Sequence, residues 1–193
     1  MSETNLFVMD QFTEAFHDGV DARVYGLRAL VESLDCGAIY LMGGMVYRSI
    51  IADMYGVKRP DVDFDFLVER IPSTISLPGW TVVKNRYGHP KLSNCGVYVD
   101  IAPFCTMSSI VRRKVPPTVE QYLAGTPLTL QSLLYSFDDD RVIGETGKES
   151  ILQKTVAVND KEEAAFSAAK KGLSLHDFIK QKAESTGFTP IYD

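Results

Sequence analysis

The chain has 193 residues, 45% of them hydrophobic and 23% charged, and carries a net charge of −5 at pH 7. That composition excludes a disordered tail, a collagen-like rod and a coiled coil, and the length suits one good-sized core or two small ones. Mean hydropathy is −0.04 and no apolar run reaches the ~18 residues of a membrane span, while the acidic balance argues against tight, unselective binding to nucleic acid.

The first residues, Met1 to Asn5, show no basic start leading into an apolar run, so a cytoplasmic protein is expected. Leu6, Phe7, Met9, Phe12 and Phe16 recur at helical spacing over 6–18, and Val20, Val24, Leu27, Leu30, Val31 and Leu34 do so over 20–34. Asp35-Cys36-Gly37 stops the second helix. Residues 38–42 form a short apolar run closed by Gly43-Gly44, the pattern of a buried strand ending in a tight turn. A helix follows over 45–55, stopped by Gly56. Strands are expected at 62–68, 80–85 and 97–103, with turn chemistry at 86–90. Short helices are expected at 118–124 and 127–136, a helix at 160–171, and a helix capped by Ser174 that runs to about 185. The chain is thus an α/β or α+β protein with a small mixed central sheet and flanking helices. Residues 1–37 read as N-terminal helices, 38–155 as the core, and 156–193 as C-terminal helices packed on the same domain.

The chemistry concentrates in Asp61-Val62-Asp63-Phe64-Asp65-Phe66-Leu67-Val68. Strand side chains alternate, so Asp61, Asp63 and Asp65 share one face and the apolar residues share the core face. A row of carboxylates about 7 Å apart repels itself and is tolerated at a wet edge, or inside with a cation. Hard oxygen donors on few residues suit Mg²⁺ with a triphosphate better than Ca²⁺. A second strand, at 97–103, carries the single acid Asp100. If the two strands are neighbours, Asp100 joins the cluster, and three acids from two strands can hold two ions. Gly43-Gly44 lets backbone approach a ligand and offers helix N-terminal amides to phosphate, with Arg48 one turn on. Each feature alone has a plain alternative: a solvated sheet edge, or an ordinary strand-to-helix turn. Their order carries the functional reading.

Gly43-Gly44-Met45-Val46-Tyr47-Arg48, Asp61-Val62-Asp63-Phe64 and Val99-Asp100-Ile101 together resemble the DNA polymerase β-like nucleotidyltransferase superfamily, nearest to the head domain of CCA-adding enzymes and poly(A) polymerases. The likeness covers roughly residues 38–155, and Thr129 to Tyr135 resembles the helix after the third carboxylate. It implies a short mixed sheet with helices on one side, and transfer of an NMP from an NTP to a hydroxyl acceptor (an RNA end, a protein or a small molecule) with pyrophosphate released. It further implies that Asp61, Asp63 and Asp100 are catalytic, and that Asp61, Asp63, Asp65 and Asp100 hold Mg²⁺ or Mn²⁺. Gly43, Gly44 and Arg48 would contact the nucleotide. Asp63-Phe64-Asp65 fits the acidic motif as well as Asp61-Val62-Asp63, so two registers stand. The sequence also departs from the family: Tyr47 stands where an Arg follows the Val of GGxVRD, and no EDxxR motif is present. A catalytically degenerate nucleotide binder and a non-enzymatic interaction protein are the alternatives.

Four other features read as structural. Gly144-Glu145-Thr146-Gly147-Lys148-Glu149-Ser150 lacks the Ser or Thr that must follow the P-loop lysine, and reads as a surface turn. Arg112-Arg113-Lys114 reads as a solvated basic loop and Asp138-Asp139-Asp140 as a solvated turn. Cys36, Cys95 and Cys105, without CxxC spacing, read as reduced thiols.

Overall fold

The computed structural model describes residues 3–58, 63–85 and 88–192, with side chains from residue 11 onward. The chain opens with α1 (Glu3–Gly19) and α2 (Arg23–Glu32), enters β1 (Ile39–Met42), and turns through Gly43 into α3 (Gly44–Tyr55). Next come β2 (Phe64–Val68), β3 (Thr81–Lys84), β4 (Pro90–Asn94) and β5 (Val97–Pro103). After short helices α4 (Ser108–Arg113) and α5 (Val119–Ala124) follow β6 (Leu134–Ser136), β7 (Arg141–Ile143) and α6 (Glu145–Gln153). The chain ends with β8 (Thr155–Val156), α7 (Lys161–Lys170), α8 (Leu175–Glu184) and β9 (Thr189–Pro190).

Seven strands form one mixed sheet in the order β3-β4-β5-β2-β1-β6-β7, and β8 and β9 form a separate parallel pair. Strand alternation divides the large sheet into two faces. Ile39, Leu41, Phe64, Phe66, Val99 and Ile101 join Phe12, Phe16, Val24, Met45 and Ile50 in the main core, so α1, α2 and α3 cover one face. On the other face, Leu67 and Leu134 pack with Phe104 and Tyr122, near Tyr40 and Met42. The resemblance implied helices on one side only; here α5, through Tyr122, also covers part of the second side.

Several local expectations meet a different structure. The stretch 127–136 is no helix: Thr129–Gln131 make one 3-10 turn and Leu134–Ser136 a strand. Leu128, Leu130, Leu133 and Leu134 are all buried, and β6 pairs with β1, so tertiary pairing overrides the apparent helical period. Strand β4 lies where no strand was expected, between β3 and β5. Gly144 to Ser150 is no surface turn, because Glu145–Gln153 is helical and Lys148 is only 4% exposed. A Cβ on Gly144 would lie 2.1 Å from the Ser132 carbonyl oxygen, at φ +121°, so this glycine exists to let α6 sit on the 129–133 segment. Arg112 and Arg113 are no solvated loop either. Arg112 pairs with the buried Glu163 and Arg113 lies 3.9 Å from Asp160, bracing α4 against the start of α7. The C-terminal helices bury Ala164, Ala168, Phe178, Ile179 and Ala183. Ser174 caps α8 by accepting from the Asp177 amide at 3.0 Å. No helix among the described residues is long and apolar enough to cross a membrane.

Candidate active site

Strands β2 and β5 run parallel and adjacent, and their register sets Asp65 directly beside Asp100. Asp63 lies two residues before Asp65, on the same face by strand alternation. The three acids therefore share the second face, and the Lys91 ammonium contacts two of them. Asp61 lies outside the described residues, so the described acidic pair on this strand is Asp63 and Asp65. Asp100 is largely enclosed, its side chain 19% exposed, while Asp63 at 56% forms the rim.

Each acid is held differently. Asp100 accepts a hydrogen bond from the Asn85 side-chain amide at 2.9 Å, and Asn85 in turn accepts from the His89 backbone amide at 3.1 Å. Burial holds the His89 imidazole below its ordinary value, against the opposing pull of Asp100, and its Nε2 lies 2.7 Å from the Thr106 hydroxyl. The Lys91 ammonium sits 3.2 Å from Asp100 and 3.6 Å from Asp63. Burial opposes the Lys91 charge, but Asp100 and then Asp63 outweigh it and hold the ammonium above its ordinary value. Asp65 is the strained member. Burial first, then the charges of Asp100 and Asp63, push its carboxyl from 3.8 up to about 7, against the opposing pull of Lys91. Beneath it, the Tyr122 hydroxyl donates to Met42 Sδ at 3.3 Å, and burial, with Asp65 adding, holds that phenol well above its ordinary value.

Gly43 stands against this cluster. It leaves β1 at φ 73° and ψ −147°, a conformation that suits glycine alone, and begins α3. A Cβ there would lie 2.9 Å from Asp65 Oδ2. Gly43→Ala is accordingly expected to cost about 1–3 kcal/mol in urea unfolding and to displace the Asp65 carboxylate. An alanine variant as stable as the parent would show that the backbone relaxes freely at this turn.

A cleft of about 790 Å³ opens beside the acids. Asp63, Asp65, Tyr98, Gly44, Arg23, Arg48 and Lys182 are among the residues that line it. Arg48 donates to the Ser185 carbonyl at 3.2 Å and to its hydroxyl at 3.1 Å, which ties α3 to the end of α8. Lys182 donates to the Tyr47 hydroxyl at 2.9 Å. Acidic and basic side chains thus line one cavity, Arg23 among them paired with Asp21 at 2.6 Å, an arrangement suited to a polyanion that arrives with a cation. Lys91, Asn85, Arg23 and Lys182 were not singled out from the sequence. The alternation within β4 would have placed Lys91 on the acidic face had that strand been foreseen. No local signal marks Lys182, one lysine among several on an amphipathic helix.

Among the described residues, no three His, Cys, Asp or Glu side chains already converge as a ready-made ion site. The Lys91 ammonium lies between two of the acids instead. The donor set nevertheless suits a hard divalent ion in its chemistry: three carboxylates on or next to adjoining strands, one of them raised toward neutrality by burial and then by its like-charged neighbours.

The overall fold is similar to that of a CCA-adding enzyme solved in complex with ATP, at 17% identity and a TM-score of 0.60 over 93% of this chain and 41% of that one. The chain has the nucleotidyltransferase fold. A CCA-adding enzyme with CTP gives 16% identity and a TM-score of 0.56 over 82% of this chain and 38% of that one. The Bacillus stearothermophilus CCA-adding enzyme in complex with CTP gives 16% and 0.56, over 80% of this chain and 37% of that one. The chain therefore spans about two fifths of the length of these CCA-adding enzymes. No protein-family model matches the sequence, and no curated protein does. Asp63, Asp65 and Gly44 line one cleft, and Asp100 lies on the strand beside Asp65.

Proposed function

We propose that the protein transfers a nucleoside monophosphate from an NTP to a hydroxyl acceptor, releasing pyrophosphate. The observation that carries this reading is the side-by-side register of Asp65 and Asp100 against Gly43 at the start of α3. Asp63, Asp65 and Asp100 would hold Mg²⁺ or Mn²⁺; Asp61, also expected there from the sequence, would extend the set. A bound divalent ion would neutralise triphosphate charge and make an acceptor hydroxyl more acidic. The chain's own groups supply the rest. The α3 N-terminus at Gly43-Gly44 faces the phosphates. Arg23, Arg48 and Lys182, which line the same cleft, would complement their charge. Asp100, which accepts a hydrogen bond from Asn85, would take the proton of the attacking hydroxyl. An RNA end is one acceptor consistent with the nucleotidyltransferase fold; a protein or small-molecule hydroxyl is equally compatible with an open cleft.

The direct test is incubation with each labelled NTP and Mg²⁺, read as pyrophosphate release and as label on an acceptor. Release that needs Mg²⁺ supports the proposal; no release with any NTP, across RNA, protein and small-molecule acceptors, overturns it. For the basic side chains, Lys182→Ala is expected to weaken binding of a non-hydrolysable Mg-NTP about tenfold by calorimetry, roughly 1.4 kcal/mol. Unchanged affinity would remove Lys182 from the phosphate site.

One observation favours a second reading, a nucleotide-binding module without transfer. The Lys91 ammonium already spans Asp63 and Asp100. That reading expects an NTP-dependent rise in melting temperature with no pyrophosphate released.

A further inference from the structure

Lys91 reaches the acidic cluster from the neighbouring strand. On β4 it is the direct antiparallel partner of Asp100 on β5. Its ammonium extends across β5 to Asp63, which precedes β2 on the far side. The carboxylate oxygens it contacts belong to two of the three acids that would hold the ion. An ammonium and a divalent ion compete for the same lone pairs, and both cannot take them at once. The Tyr98 ring, which lines the same cleft, has its centroid 5.3 Å from Lys91 Nζ. It offers the ammonium a second seat that needs no carboxylate. At full ionisation, three carboxylates and one ammonium leave two negative charges, which a single divalent ion cancels provided the ammonium stays nearby.

We propose that Lys91 is a built-in counter-ion of this site: in the metal-free chain it bridges Asp63 and Asp100, and a divalent ion enters by exchange with it, the ammonium withdrawing toward Tyr98. The inference rests on the metal-binding part of the proposed function and deepens it. Lys91 is a positioning residue that sets how tightly the ion is held, and it holds the acids together when no ion is present. The cluster thereby carries less repulsion than three bare carboxylates would bring, and metal affinity is kept low.

The test uses Mn²⁺ as probe, with the free ion followed by electron paramagnetic resonance, on the full chain and on Lys91→Met and Lys91→Arg. Removing two competing ion pairs is expected to tighten Mn²⁺ binding about tenfold in Lys91→Met. The same variant should melt lower without metal and show a larger rise on adding Mn²⁺. Lys91→Arg keeps the charge and should bind the ion as weakly as the parent. A Lys91→Met protein that binds Mn²⁺ no more tightly than a parent that does bind it overturns the counter-ion role and leaves the metal site standing. Absence of Mn²⁺ binding in parent and variant alike overturns both. Lys91→Gln, which keeps a polar side chain, serves as the uncharged variant if the methionine protein fails to fold.

Discussion

Asp65→Asn and Asp100→Asn should each lower NMP transfer at least about a thousandfold, roughly 4 kcal/mol of transition-state stabilisation, while leaving a cooperatively folded protein. The expectation follows from their register. The two carboxylates are direct neighbours on parallel strands, so neither can be replaced by a rearrangement of the other. Amide for carboxylate preserves shape but removes the charge that a divalent ion requires. Asn85→Ala should cost less, about 10–100-fold, because Asn85 acts on the site through Asp100, to which it donates a hydrogen bond. Pyrophosphate release under saturating NTP, with circular dichroism on the same samples, checks all three. Transfer retained in the Asp65 and Asp100 variants would withdraw both assignments.

The second large effect is on stability and needs no substrate. Burial and the neighbouring acids raise the Asp65 carboxyl from 3.8 to about 7 in the folded chain. Between these values the native state keeps a proton that the unfolded chain has released, so the unfolded state binds fewer protons there. Stability contributed by this group is therefore full below about pH 4, falls as pH rises toward 7, and is level above that. The loss is on the order of 2–4 kcal/mol, the lower part of that range applying if the three acids titrate as one unit. Asp65→Asn removes the titration. In metal-free buffer it should match the parent at pH 4 and exceed it at pH 8 by about 2 kcal/mol, a rise of about 5 °C in melting temperature. Parallel stability curves for parent and variant from pH 4 to pH 8 would show that Asp65 is not held protonated by its surroundings.

These two results would bear on how far the sequence alone announced the site. The acidic face was readable because alternation within a strand is a steric rule, and Phe64, Phe66 and Val68 point inward as that rule requires. Gly43-Gly44 was readable because a diglycine between a strand and a helix needs a reason, here a positive φ and the nearness of Asp65. Which strand lies beside β2 was not readable: parallel pairing with β5 skips a whole hairpin, and nothing local encodes it. Pro90-Lys91-Leu92-Ser93-Asn94 carries one strongly apolar residue and a leading proline, so β4 has little strand signal. It forms because β3 and β5 flank it, and Lys91 was lost with it. Leu128, Leu130, Leu133 and Leu134 fit a helical period by chance, while the chain uses them to bury a turn and a strand. Lys182 and Arg48 meet near the cleft only through docking of α8 on α3.

The β2–β5 pairing has a kinetic meaning as well. Strands β3, β4 and β5 form an antiparallel meander that closes through short turns, whereas β2 can join β5 only once that meander has been carried round as a crossover. Long-range parallel closure of this kind is slow, since the loop entropy is lost before the contacts repay it. Asp65 and Asp100 sit on the two sides of that seam. A refolding chain would therefore gain most of its hairpins and helices before it possesses any pocket at all, and arrival of the pocket would mark the moment at which the sheet becomes whole.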